Sequence, residues 1–193
     1  MKARHSGVTR YAIYLVTALA MTVSACGMMG KEAKVEAAAE QAKPLSDGEI
    51  VAVVQTLNRG EITQARLAAS RARDADVRAV ADHIIDDHQR LERQVANLDI
   101  APQPSELSRS LEQLAKETQA QLQEKSGAEF DQAYLKAQEQ MHKLAVDTVE
   151  NQLLPAASDP QLRQVLSEGL IPLQKHLAQS RLAQSMISEP KRG

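Results

Sequence analysis

Apolar residues recur every three or four positions through four long stretches of this chain, the spacing of one buried face on an α-helix. Ile50, Val54, Leu57, Ala65 and Ala68 share such a face, and Val77, Val80, Ile84, Leu91, Val95 and Leu98 share a second. Tyr134, Gln138, Met141, Ala145, Val149 and Leu153 form a third, and Leu162, Val165, Leu166, Leu173, Leu177 and Ile187 a fourth. Aromatic residues are 2% of the chain and Trp is absent, so the core is built of Leu, Ile, Val and Ala. That composition favours helix packed on helix over a sheet sandwich. With 43% apolar and 25% charged residues, the chain has the balance of a globular protein.

Capping residues bound these stretches. Ser46 and Glu49 fit a capping box, with Leu45 and Ile50 as a hydrophobic staple, and the first helix is expected to reach about Arg73. Asp74 opens the second helix, which Pro102 and Pro104 end. Ser105 opens a shorter helix carrying Leu107, Leu111, Leu114 and Leu122, terminated by Ser126 and Gly127. Its outer face is rich in Gln, Glu and Lys, which reads as a connector crossing a bundle. Asp131 is the expected cap of the next helix, which stops near Pro155, and Asp159 with Pro160 opens the last. Pro172 is expected to bend that last helix.

The short first and last links require antiparallel hairpins, while the middle link is long enough to cross between them. The fold class is therefore all-α: a ferritin-like antiparallel four-helix bundle with a helical crossover between its second and third helices. A faint repeat fits a duplicated hairpin. Asp74, Val77, Arg78 and Val80 open one helix, and Asp159, Leu162, Arg163 and Val165 open another at the same spacing.

The N-terminal segment reads as an address. Lys2, Arg4 and Arg10 precede an apolar run over residues 12–25, shorter than the roughly 20 residues a membrane span requires. The run ends in Val23, Ser24, Ala25 and the single cysteine of the chain, Cys26, in the pattern of a lipobox. Residues 1–25 are thus expected to be a lipoprotein signal peptide and Cys26 the lipidation site, acylated through a thioether. Such an anchor gains about 0.8 kcal/mol per buried methylene. Gly27 in place of Asp points to the periplasmic face of an outer membrane by the sorting rule of Gram-negative lipoproteins. Residues 26–44 read as a tether and residues 45–188 as the folded domain. Removing the signal leaves 20 basic against 25 acidic side chains, a formal charge of −5. Without a basic face or stacking rings, a nucleic-acid partner is excluded. The partners expected are the membrane, through the lipid, and a protein of the envelope.

Polar residues interrupt the apolar stripes. His88 holds a core position between Ile84 and Leu91, His142 adjoins Met141, and His176 follows Leu173 by three. Glu61 falls four residues after Leu57 and four before Ala65. Counted from the hairpin turns at 1.5 Å per residue, Glu61 and His88 differ in height by roughly 3 Å, and His142 and His176 by roughly 6 Å. Three imidazoles and a carboxylate, one per helix, are thus candidate ligands for zinc, copper or iron. A metal-free network, with Glu61 as hydrogen-bond partner of the histidines, is the alternative. His83 reads as exposed, and Asp82, Asp86 and Asp87 as an acidic face, with Asp87 a possible partner supporting a ligand.

Several pieces together resemble a bacterial ferritin-like family known only as domain of unknown function four-one-four-two. They are Gly60 and Glu61 followed by Leu67 and Ala68; Ile85, Asp86, Asp87 and His88; Ser126 and Gly127 with Phe130, Asp131, Tyr134 and Leu135; His142; Asp159 and Pro160; and Ile171, Pro172, His176 and Leu177. The resemblance implies a ferritin-like bundle in exported or envelope proteins and brings no known activity. Di-iron members of the wider superfamily use a Glu-x-x-His pair on each of two helices. Here only Glu139 and His142 have that spacing, which makes Glu139 a further candidate ligand. Ile85 and Leu173 stand three residues before His88 and His176 and cannot ligate. No nucleophile motif or phosphate loop is present, so the expected role is non-enzymatic.

Overall fold

The computed structural model describes residues 43–188. The expected signal peptide, Cys26 and nearly all of the tether lie outside these residues. Every regular element among them is helical: α1 (Asp47–Arg71), α2 (Ala75–Ala96), α3 (Glu106–Gln123), α4 (Gly127–Thr148), a single π-helical turn (Val149–Leu153), the short α5 (Leu154–Ala156) and α6 (Pro160–Ser188). No helix among the described residues is long and apolar enough to cross a membrane.

The caps form largely as local chemistry requires. Ser46 Oγ accepts from the Glu49 amide while Glu49 accepts from the Ser46 amide, which completes the capping box. Asp74 Oδ1 accepts from the Asp76 amide, and Asp159 Oδ1 from the Leu162 amide. Asp131 corrects the expectation. Ser126 is the residue before α4, Gly127 takes a left-handed φ of 55°, and Asp131 lies inside the helix, buried. Its carboxylate instead accepts the Arg73 and Asp74 amides at 3.0 and 2.9 Å, holding the turn between α1 and α2.

α1 packs against α2, α3 and α4, and α6 packs against α4 and α2. Contact on three sides explains why α1 buries residues well beyond one stripe, including Val51, Val53, Ile62 and Gln64. α3 approaches α1 so closely that a Cβ on Gly60 would stand 2.9 Å from the Ala115 methyl. α6 continues through Pro172, and Leu114 on α3 is more exposed than its stripe predicts.

The faint repeat has a structural counterpart at the two hairpin turns. Arg78 donates to the Ala72 carbonyl, and Arg163 donates to the Ala157 carbonyl, each six residues back. The amides of Arg73 and Asp74 are bound by Asp131, and those of Ser158 and Asp159 by Asp47. Each turn is therefore clasped by an aspartate from the opposite hairpin. Removing the carboxylate in Asp131→Ala leaves two inward-facing amides without an acceptor. The expected loss is about 2–4 kcal/mol in urea unfolding, with Asp131→Asn recovering part of it.

The core is divided. One apolar cluster gathers Ile50, Val54, Leu57, Val95, Met141, Ala145, Leu153, Leu162 and Leu173. The other gathers Ala65, Ala68, Val77, Ile84, Phe130, Tyr134, Leu135 and Ala183. Between them along the helices lie buried polar residues: Asn58, Glu61 and Gln64 on α1, His88 on α2, Gln138 and His142 on α4, and His176 and Ser180 on α6.

Candidate metal centre

Desolvating so many polar groups is costly unless they are bonded to one another, so their pairing decides what this layer can do. His88, His142 and His176 are each at most 4% exposed, and one ligand atom from each lies within 4.8 Å of the others. Of the four residues expected from their stripes to converge, the three histidines do so and Glu61 does not join them.

The remaining nitrogen of every ring meets an oxygen. His88 Nδ1 lies 2.9 Å from Asn58 Oδ1, His142 Nδ1 lies 3.0 Å from the Gln138 carbonyl, and His176 Nε2 lies 3.0 Å from Asp87 Oδ2. An amide oxygen, a carbonyl and a carboxylate can only accept, so each of these nitrogens carries the proton. Burial raises the Asp87 carboxyl, but hydrogen bonds from His176 and from Arg90, 2.7 Å away, outweigh it and hold the group low. In the neutral form of each ring the lone pair then falls on His88 Nε2, His142 Nε2 and His176 Nδ1. His142 Nε2 and His176 Nδ1 face each other at 3.2 Å. His88 Nε2 is buried without a hydrogen-bond partner.

Electrostatics keep His88 and His176 neutral. Burial, followed by His142 and His176, pushes the His88 imidazole well below its ordinary value. Burial and then His142 outweigh the pull of Asp87 and bring His176 down to about 4.

The arrangement fits a small cation of the zinc, copper or iron class. Imidazoles coordinating at about 2.0–2.1 Å around a tetrahedral ion stand with nitrogens roughly 3.4 Å and ring centroids roughly 5.2 Å apart. Here the centroid separations are 5.1 Å for His142 and His176 and 5.6 Å for each of the other two pairs. The oxygen partners of the outer nitrogens are the support that metal-bound histidines ordinarily have.

The other candidates part company. Glu61 is buried and shares a cavity with His88 and His142, but it stands outside the close set of three nitrogens. Burial pushes its carboxyl up, against the opposing influence of His142 and Gln138. Glu139 must be corrected: it is about a third exposed and accepts from Arg181 Nε at 2.8 Å, so its carboxylate is committed to a surface ion pair. Three residues before His142 is 60° away around the helix, enough to carry it off the inner face. His83 is exposed, as expected. Asp87 does support an imidazole, but that of His176 across the helices rather than its neighbour His88. Sequence reasoning missed Asn58 as the residue orienting His88. Its signal was a polar residue one turn before Glu61, beside the buried Leu57.

The comparisons with known proteins leave the chemistry to the geometry. No curated protein and no solved structure matches the chain at a significant level. The family model described as "Domain of unknown function (DUF4142)" matches residues 31–182, and the chain belongs to that family.

Proposed function

We propose that this chain is an envelope lipoprotein whose domain, a ferritin-like antiparallel four-helix bundle with α3 as its crossover, binds one transition-metal ion of the zinc, copper or iron class. His88 Nε2, His142 Nε2 and His176 Nδ1 are its ligands, while Asn58, the Gln138 carbonyl and Asp87 fix their orientation. The carrying observation is the convergence of three buried imidazoles, each with its outer nitrogen on an oxygen and with His142 Nε2 and His176 Nδ1 only 3.2 Å apart. A cation placed among them would take one nitrogen from each of three helices. Anchoring through Cys26 and residence at the periplasmic face of the outer membrane rest on the signal and lipobox pattern, and an envelope protein is the partner proposed.

Titrating the metal-free full chain with zinc or copper is expected to give one ion per chain. His88→Ala and His142→Ala should each weaken affinity by at least about 100-fold, and Asp87→Asn by about 10-fold. A chain that takes up neither zinc, copper nor iron(II) stoichiometrically would exclude this function. The second reading is a metal-free polar network that joins the helices. It is favoured by the same three oxygen partners, which would also hold a ring pair bridged by an added proton. In that case replacing all three histidines changes stability and leaves the protein's cellular role intact.

A further inference from the structure

Three protein nitrogens leave a four-coordinate ion one position short, and the structure has a place for what would fill it. A cavity of about 30 Å³ lies beside the His88 and His142 imidazoles. It is walled largely by apolar side chains, among them Leu57, Leu91, Val149 and Leu173, and four polar residues also line it: Asn58, Glu61, His88 and His142. Asn58 Nδ2, Glu61 Oε2 and His88 Nε2 are all buried and lack hydrogen-bond partners, and their residues are 1%, 4% and 4% exposed. Native interiors pair nearly all such atoms, so three unpaired ones around one cavity point to a guest. The volume suits a water or a ligand of two or three atoms. The single π-helical turn of the described residues begins at Val149, in the cavity wall.

We infer that this chamber is the exchangeable coordination position of the metal. A water bound to the ion sits between Asn58 Nδ2, from which it accepts, and Glu61 Oε2, to which it donates, and small linear anions such as azide displace it. The inference rests on the metal-binding reading and adds that the site is open, whereas a structural metal site is closed by four protein ligands. Glu61 then acts on the bound ligand and is not itself a metal ligand, consistent with its place outside the close set of nitrogens.

The test uses the full chain loaded with cobalt(II), whose visible bands report ligand exchange. Azide should shift those bands with 1:1 saturation. Gly169 also lines the chamber, and a Cβ there would meet only Leu91 methyls at 3.7 Å, an ordinary contact. Gly169→Ala should therefore load cobalt as the parent does while weakening azide at least about 10-fold, and Gly169→Val should abolish the azide response. Stoichiometric cobalt with bands unmoved by azide overturns the open site alone. Equal azide binding in both Gly169 variants places the anion outside the chamber and also overturns it. Failure to take up cobalt overturns this inference together with the metal-binding reading.

Discussion

Zinc present at a thousand times its dissociation constant should raise the unfolding free energy of the metal-free protein by about 4 kcal/mol. For a domain of this size that corresponds to a rise in Tm of roughly 8–16 °C. The gain arises because an ion held by His88, His142 and His176 binds only where α2, α4 and α6 meet, and the unfolded chain has no equivalent site. The chain carrying His88→Leu, His142→Leu and His176→Leu should show no shift with zinc and none with chelator. The difference between metal-loaded and metal-free samples is the quantity to read, because removing His88 also leaves Asn58 Oδ1 without its donor. That alone alters the baseline by about 1–3 kcal/mol. Calorimetry of both chains, with zinc and with chelator, decides the matter. A parent Tm indifferent to zinc, copper and iron would leave the polar network as the account of these histidines.

Acid should unfold the metal-free protein well before its surface carboxylates titrate. His88 and His176 have folded values below the ordinary 6.5, so between that value and the folded ones the unfolded chain binds more protons. Stability then falls as pH falls from about 6.5 toward 4, and these two rings have no effect above pH 7. For His176, brought to about 4, the integrated loss is roughly 3 kcal/mol, and His88 adds in the same direction. Glu61 works in the opposite sense. Its folded carboxyl is raised above 4.5, so its stabilising contribution is complete below that value and lost as pH climbs through the folded one. Glu61→Gln removes that opposing effect, and its urea midpoint should drop more steeply than the parent's between pH 6.5 and 4. A midpoint in Glu61→Gln that stays level over this window would mean that the rings are already protonated in the folded state. Metal affinity of the folded protein should fail only as pH nears about 4, where the folded rings take up protons on the nitrogens that coordinate.

How far the site could be read in the sequence differs residue by residue. His88, His142 and His176 were legible because each interrupts an apolar stripe at a helical step, and a residue's azimuth on a helix is a local property. Glu61 was legible as inward-facing for the same reason, yet its separation from the three nitrogens was not. Height estimates counted from the turns resolve about one helical turn, whereas coordination is decided within tenths of an ångström by how neighbouring helices pack. Glu139 looked equivalent by spacing to His142. On α4 the inward direction passes through Gln138, Met141 and His142, and Arg181 on α6 draws Glu139 to the surface. Asp131 looked like a cap because caps are usually local. Its partners, Arg73 and Asp74, lie 58 and 57 residues away, and no window on the sequence contains both ends.

The sequence by itself determined the helices, the caps at Ser46, Asp74, Ser105 and Asp159, and the inward facing of three imidazoles and one carboxylate. Each of these follows from propensity, capping and period within a few turns of chain. For His88 and His176 only the tertiary structure decided which ring nitrogen carries the proton, because that depends on oxygens brought from other helices, whereas His142 uses the Gln138 carbonyl of its own helix. Asn58 reaches His88 across 30 residues of sequence, and Asp87 reaches His176 across 89. A proton's position on an imidazole is set by whichever acceptor touches it, and helix packing supplies that acceptor.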